Sequence, residues 1–180
     1  MKSKLIWCAI VVTLMMVAVP VIAKGPADRA AKSRIGHLYL VEKDHTDPNW
    51  PAVPGGAWGK MIYRRSAPRF LFMFNGHGLL PGEDYTLIYY PDKVGNPWPR
   101  TDIICLGDDR ANEDGHVRIR GLVDTGDLPN PGTDINDGAK IWLVLSDDVD
   151  CVEETMFGWN PAEYLFEHNL IQFDATDPEE

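Results

Sequence analysis

Residues 79–90 read Leu79-Leu80-Pro81-Gly82-Glu83-Asp84-Tyr85-Thr86-Leu87-Ile88-Tyr89-Tyr90, and this stretch decides the fold class. A Pro-Gly pair that forms turns is followed by a run of aromatic, β-branched and aliphatic residues, which is typical of a strand. In an extended chain the odd-numbered side chains of 85–90 point to one face and the even-numbered ones to the other. The stretch therefore predicts a turn that leads into a β-strand.

The same stretch resembles the tyrosine corner of fibronectin type III and other Ig-like sandwiches. Leu79, Pro81 and Tyr85 stand at relative positions 0, 2 and 6. In that corner the tyrosine hydroxyl bonds back to the backbone a few residues upstream and fixes a loop that crosses between two sheets. The resemblance implies a structural role for Tyr85.

Strand-like runs recur along the rest of the chain, separated by connections rich in Gly, Pro, Asp and Asn. The eight predicted strands are His37–Glu42, Ala57–Arg64, Arg69–Asn75, Asp84–Tyr90, Thr101–Leu106, His116–Val123, Ala139–Ser146 and Asn169–Phe173. One short helix is predicted near residues 160–167, where Asn160 can cap it and Pro161 can occupy its first position. The pattern predicts an all-β, antiparallel β-sandwich of the Ig-like or Greek-key type.

The N-terminus has the features of a secretory signal. Residues 1–23 combine Lys2 and Lys4 with an apolar run that ends in Val21-Ile22-Ala23, a pattern that suits signal peptidase. The run approaches the length that spans a bilayer, so an uncleaved anchor is the alternative. We expect a flexible lead-in over 24–35, one sandwich domain over 36–174 and an acidic tail over 175–180, with an extracytoplasmic location.

The charge balance limits the classes of partner. The chain has 17 Lys and Arg against 27 Asp and Glu, a net charge of −10. Removal of the two lysines in 1–23 leaves 15 against 27, or −12. Such a balance argues against nucleic acid as a partner, and a membrane contact is expected only if the N-terminal segment is uncleaved. Calcium is the one cofactor that the composition makes plausible.

Two cysteines remain after the predicted signal, Cys105 and Cys151. An even number of cysteines in an oxidising compartment predicts one disulfide between them.

Candidate ligands for a metal or a substrate are scattered. His77 lies between two glycines in Asn75-Gly76-His77-Gly78, and could belong to a loop site. Asp108, Asp109, Asn112 and Asp114 concentrate oxygen atoms of the kind that calcium prefers, although acidic hairpin turns have the same composition. No stretch matches a catalytic motif, and no catalytic residue is assigned.

Tryptophans in loop-like sequence are the remaining candidates for binding. Trp98 and Trp159 each stand beside Pro or Asn, in Pro97-Trp98-Pro99 and Trp159-Asn160-Pro161. Loop tryptophans on a sandwich can stack on sugars or anchor a partner protein, or they can cover the ends of the core.

Several stretches together resemble an uncharacterised family of exported prokaryotic proteins, found mainly in archaea. They include residues 56–61, 75–79, 85–92, 138–146 and 158–161. The resemblance implies a compact exported domain and brings no known activity with it.

The function predicted from sequence is an exported, non-enzymatic β-sandwich that binds a partner protein or a polysaccharide at the cell surface. One alternative is a metal-assisted hydrolase with a loop site near His77. Another is a component of a surface layer or a secretion assembly, which would need an open sheet edge.

Overall fold

Two antiparallel sheets pack against each other, and side chains along the strands of the first sheet alternate between buried and more exposed positions. The computed structural model describes residues 33–95 and 98–175. The first sheet has the order β11-β1-β2-β3-β7 and the second has the order β6-β4-β8. The longer strands are β1 Ile35–Val41, β2 Trp58–Arg64, β3 Phe70–His77, β4 Asp84–Tyr90, β6 Ile104–Arg110, β7 Val117–Val123 and β8 Lys140–Leu145.

The remaining strands are two residues long. They are β5 Arg100–Thr101, β9 Val149–Asp150, β10 Thr155–Met156 and β11 Phe166–Glu167, and β5, β10 and β9 form a small third sheet. The predicted all-β sandwich is confirmed. Within the described residues, no helix has the length and apolar character that crossing a bilayer requires.

The core has two parts, one on each side of the second sheet. Odd-numbered residues of β4, such as Leu87 and Tyr89, face the first sheet and belong to the main core between the sheets. Even-numbered residues, such as Ile88 and Tyr90, face away from it and belong to a second apolar cluster. Strand β4 is therefore buried on both faces and forms the middle layer of the domain.

The chain crosses from the first sheet to the second through the predicted tyrosine corner. The N–H of Leu80 donates to the hydroxyl oxygen of Tyr85 at 3.2 Å, and the Tyr85 side chain is buried. The chain crosses back through the turn between β6 and β7. There Gly115 has a φ of 72°, and a Cβ at this position would lie 2.4 Å from the carbonyl oxygen of Leu79. The two crossings therefore pack on each other.

The predicted disulfide is present. Cys105 and Cys151 are bonded, with their Cα atoms 5.6 Å apart. The bond joins strand β6 of the second sheet to the turn between β9 and β10. It therefore attaches the small third sheet to the sandwich.

The predicted fifth strand, Thr101–Leu106, is in fact broken into β5 and β6. Asp102 lies between them with a φ of 64°, a left-handed conformation that an extended strand cannot contain. The residue also forms an ion pair with Lys93. The break places β5 in the small third sheet and leaves β6 to pair with β4.

The short helix predicted near 160–167 is a single 3-10 turn, Pro161–Glu163. It ends there because Tyr164 and Phe166 are buried in the second cluster while Leu165 is buried in the main core. Side chains that alternate between two faces require an extended backbone. The predicted last strand, Asn169–Phe173, does not form a continuous strand. It contains isolated bridges from Ile171 to Ala139 and from Phe173 to Leu128, and the short strand β11 lies just before it.

The predicted terminal segments fall largely outside the described residues. The signal over 1–23, the lead-in up to residue 32 and the tail beyond residue 175 are not described. The lead-in was expected to reach residue 35, but β1 already begins at Ile35.

Candidate functional site

The two tryptophans singled out in the sequence meet on the outer side of the second sheet. Trp98 follows β4 and Trp159 follows β10, and their ring centroids are 6.3 Å apart with the planes at 76°. Both side chains are substantially exposed, at 48% for Trp98 and 44% for Trp159. The two exposed indoles are therefore nearly perpendicular and border an open groove.

Two further side chains line the same groove. Tyr90 at the end of β4 and Arg100 in β5 line a groove of about 490 Å³ together with Trp98 and Trp159. The guanidinium carbon of Arg100 lies 5.1 Å from the centre of the Tyr90 ring, a cation–π contact. We call Tyr90, Trp98, Arg100 and Trp159 the aromatic groove. It combines two exposed indole rings with one buried tyrosine ring and one forked hydrogen-bond donor.

A bed of aromatic rings supports the groove from below. Trp159 contacts Trp50, Trp142 and Tyr164 at centroid distances of 6.1, 6.1 and 5.8 Å. Tyr90 stacks on Trp142 at 3.9 Å. Trp142 belongs to β8 and is almost fully buried, so the rings that line the groove rest on a fixed strand.

A buried carboxylate holds the loop that carries Trp159. Asp148 accepts a hydrogen bond from the Tyr164 hydroxyl at 2.5 Å and two from the Asn160 amide at 2.8 and 3.0 Å. Gly158 lies so close that a Cβ there would be 1.8 Å from an Asp148 oxygen. Burial, together with the Asp148 hydrogen bond, raises the pKa of Tyr164, so its hydroxyl stays a donor. The loop is therefore fixed on both sides of Trp159.

The acidic side chains near these aromatic rings already accept hydrogen bonds from neighbouring side chains. Asp92 accepts hydrogen bonds from Lys140 and Asn136. Burial opposes ionisation of Asp92, but these bonds outweigh it and lower its pKa. Glu167 accepts a hydrogen bond from the indole N–H of Trp142.

His77 lies on the other side of the molecule, at the end of β3. Its ring stacks on Trp58 at 4.7 Å and meets His116 edge-on at 4.7 Å. This row crosses three neighbouring strands or strand ends of the first sheet. Among the described residues, no three side chains of the His, Cys, Asp and Glu types converge in a way that could hold a metal ion.

The four candidate calcium ligands do not point to one place. Asp108 and Asp109 are neighbours on β6, so their side chains extend to opposite faces of the strand. Asp109 accepts the backbone N–H groups of Arg110 and Arg118 at 3.0 and 2.7 Å. Asn112 accepts those of Asp114 and His116 at 3.0 and 2.9 Å. The side chains of Asp109 and Asn112 thus stabilise the backbone around the turn between β6 and β7, and calcium binding stays a prediction.

Sequence reasoning named Trp98 and Trp159 but did not connect them, and it missed Tyr90 and Arg100. The alternation puts Tyr90 on the face of its strand opposite to Tyr85, yet nothing in the sequence indicates which loops cover that face. The only sequence feature that could have suggested Arg100 as part of the site is its position two residues after Trp98. The contact with Trp159 depends on β10, a two-residue strand that the sequence did not reveal.

Comparison of the chain with protein-family models, with curated proteins and with solved structures finds no match. The resemblance to an exported, mainly archaeal family therefore stays a prediction.

Proposed function

We propose that this protein is an exported, non-enzymatic binding module whose aromatic groove holds a polysaccharide. The observation that carries the proposal is the convergence of Trp98 and Trp159, from separate loops, on Tyr90 and Arg100. The apolar C–H face of a pyranose ring stacks on an indole, and its hydroxyl groups accept hydrogen bonds from a guanidinium. Ligand sites combine mainly apolar walls with a few placed polar groups in this way.

The size of the groove favours a sugar over a protein partner. Stable protein–protein interfaces use roughly 20–30 residues a side. The aromatic groove is lined by four residues and encloses about 490 Å³, which suits one or two sugar rings. Many of the side chains around it are engaged with each other, as Asp92 is with Lys140 and Asn136.

The rigidity of the site supports the same reading. The rings of Trp159 and Tyr90 rest on Trp142, and the Trp159 loop is held by Asp148. A preformed site does not spend binding free energy on ordering its side chains. A rigid aromatic groove is therefore suited to the modest contact area that a short glycan segment offers.

Substitution of Trp98 tests the proposal most cleanly, because within the described residues its ring packs against no aromatic ring other than that of Trp159. The protein without residues 1–23 is screened against insoluble and soluble polysaccharides, and affinity is measured by calorimetry. We expect Trp98→Ala to weaken binding at least tenfold, or about 1.4 kcal/mol, because an exposed ring face is lost.

A matched control is present on the opposite side of the domain. Trp58 is 43% exposed, much like Trp98 and Trp159, but lies on β2 of the first sheet. Trp58→Ala should leave glycan affinity unchanged. Equal loss in Trp58→Ala and Trp98→Ala, or full retention in Trp98→Ala, would remove the groove from the binding function. Failure of every polysaccharide to bind would sink the proposal as a whole.

A further inference from the structure

The outer face of the first sheet carries basic and apolar side chains. The outward positions of β1, β2, β3 and β7 include Lys60, Arg64, Arg118 and Arg120. On these four strands, all within the described part of the chain, no outward position is Asp or Glu. The chain as a whole has 27 acidic residues, so this face is segregated from the acidic remainder.

Within the described residues, these cations form no ion pair with a carboxylate. Among residues 33–95 and 98–175, the ion pairs within 4 Å involve Lys93, Arg110 and Lys140, and none involves a cation of this face. Arg118 donates to the amide oxygen of Asn75, and Lys60 lies 5.5 Å from the centre of the Tyr39 ring. The carboxylate of Asp109 is engaged by the backbone N–H of Arg118 at 2.7 Å.

Apolar side chains fill the space between the cations. Ile35, Leu71 and Leu122 are 41%, 39% and 48% exposed, and they line one shallow depression with Arg64 and Arg120. Trp58 and Tyr39 are exposed at the other end of the same face. An exposed apolar patch with a charged border marks an interaction surface. Here the border is cationic.

We propose that this basic and apolar face docks on the surface of an anionic lipid bilayer. Phosphate headgroups would pair with the guanidinium groups of Arg64, Arg118 and Arg120. The aliphatic side chains between them would enter the boundary between headgroups and acyl chains, and Trp58 and Tyr39 would lie at the interface that such rings prefer. The proposal is independent of the glycan-binding function.

The net charge of −12 that remains without residues 1–23 does not prevent this contact. Charges in solution are screened over about 8 Å at physiological ionic strength. The outward positions of β1, β2, β3 and β7 carry no Asp or Glu, so the charged side chains that this face presents to the bilayer are cations, and salt weakens the effect of acidic groups farther away. The cations of the docking face therefore dominate the interaction.

A second copy of the chain and a polyanion fit this face less well. Two copies packed face to face would bring Arg64 and Arg120 of one against the same cations of the other, and like charges at an interface are costly. A polyanion would pair with the cations but would leave Ile35, Leu71 and Leu122 in water. An anionic bilayer satisfies both kinds of side chain.

Vesicle binding tests the proposal directly. The protein without residues 1–23 is titrated with vesicles of phosphatidylcholine alone and with vesicles that also contain phosphatidylglycerol. We expect binding only to the anionic vesicles, and weaker binding at high salt. Arg64→Gln combined with Arg120→Gln should weaken it by about thirtyfold, since each basic group near an anionic surface strengthens binding about fivefold.

Three controls make the result decisive. Arg110→Gln removes an exposed cation of β6, in the other sheet, and should leave vesicle binding unchanged. Leu71→Gln combined with Leu122→Gln keeps the charge and should also weaken binding. Trp98→Ala should lose glycan affinity but keep vesicle affinity, so the two proposals can fail separately. Equal affinity for both vesicle types, or equal loss in Arg110→Gln, overturns membrane docking and favours a protein partner for this face.

Discussion

At the scale of single residues, the hydroxyl of Tyr85 offers the most direct test of the crossing between the two sheets. The side chain is buried, and its oxygen accepts the Leu80 N–H at 3.2 Å. Tyr85→Phe removes this acceptor and leaves the ring in place. We expect a loss of about 1 kcal/mol in the free energy of unfolding, the usual net value of one hydrogen bond, measured by urea titration.

Tyr39→Phe is the matched control for this substitution. Tyr39 is 43% exposed on β1, so the loss of its hydroxyl should change the free energy of unfolding little. If Tyr85→Phe and Tyr39→Phe have the same stability as the parent, the corner contributes nothing to the fold.

A second residue, Glu167, makes stability depend on pH in a direction opposite to that of an ion-paired carboxylate. Burial raises its pKa, although Lys43 and the Trp142 indole act against this. The unfolded chain therefore releases the proton at lower pH than the folded protein does. The contribution of Glu167 is fully present below the pKa of the unfolded chain, and it is lost as pH rises through the raised pKa.

Glu167→Gln isolates this contribution, because the amide oxygen can still accept the Trp142 N–H. Urea titrations of both proteins at a series of pH values, from acidic to neutral, should show the variant gaining stability relative to the parent as pH rises. A constant difference between the two proteins over the whole series would contradict the raised pKa.

At the scale of elements, the disulfide attaches the small third sheet to the sandwich. Cys105 and Cys151 are 46 positions apart, and a loop of that length predicts about 4 kcal/mol of stabilisation from chain entropy. Cys105→Ala combined with Cys151→Ala should lower the free energy of unfolding by that order. The reduced parent protein should behave like the variant. A variant as stable as the oxidised parent would show that β9 and β10 hold their place without the bond.

The segment 161–167 shows why local signals mispredict some elements. Asn160 and Pro161 start a helical turn as their types suggest, but the turn ends at Glu163. Tyr164, Leu165 and Phe166 then alternate between the second cluster and the main core. Burial of these side chains on two sides outweighs the local preference for helix, and this competition depends on layers that no short window of sequence contains.

At the scale of the whole molecule, the sequence predicted the sandwich, the disulfide and the strand Asp84–Tyr90 with its correct bounds. It did not predict that β4 rather than β3 is buried on both faces, since both runs are apolar. Leu71 of β3 is exposed, whereas Ile88 of β4 is covered by loops and short strands. Net charge likewise concealed the basic face, because a sum over the chain carries no information on where charges lie.

The two surfaces proposed for binding lie on opposite sides of the domain. The aromatic groove opens outside the second sheet, and the basic and apolar face lies outside the first, with a core about 10 Å thick between their backbones. Neither surface has to be vacated for the other to be occupied. If the groove binds a glycan and the opposite face binds a bilayer, as proposed, the thickness of the sandwich would fix the distance between polymer and membrane, and the amount of protein would set the number of links between them.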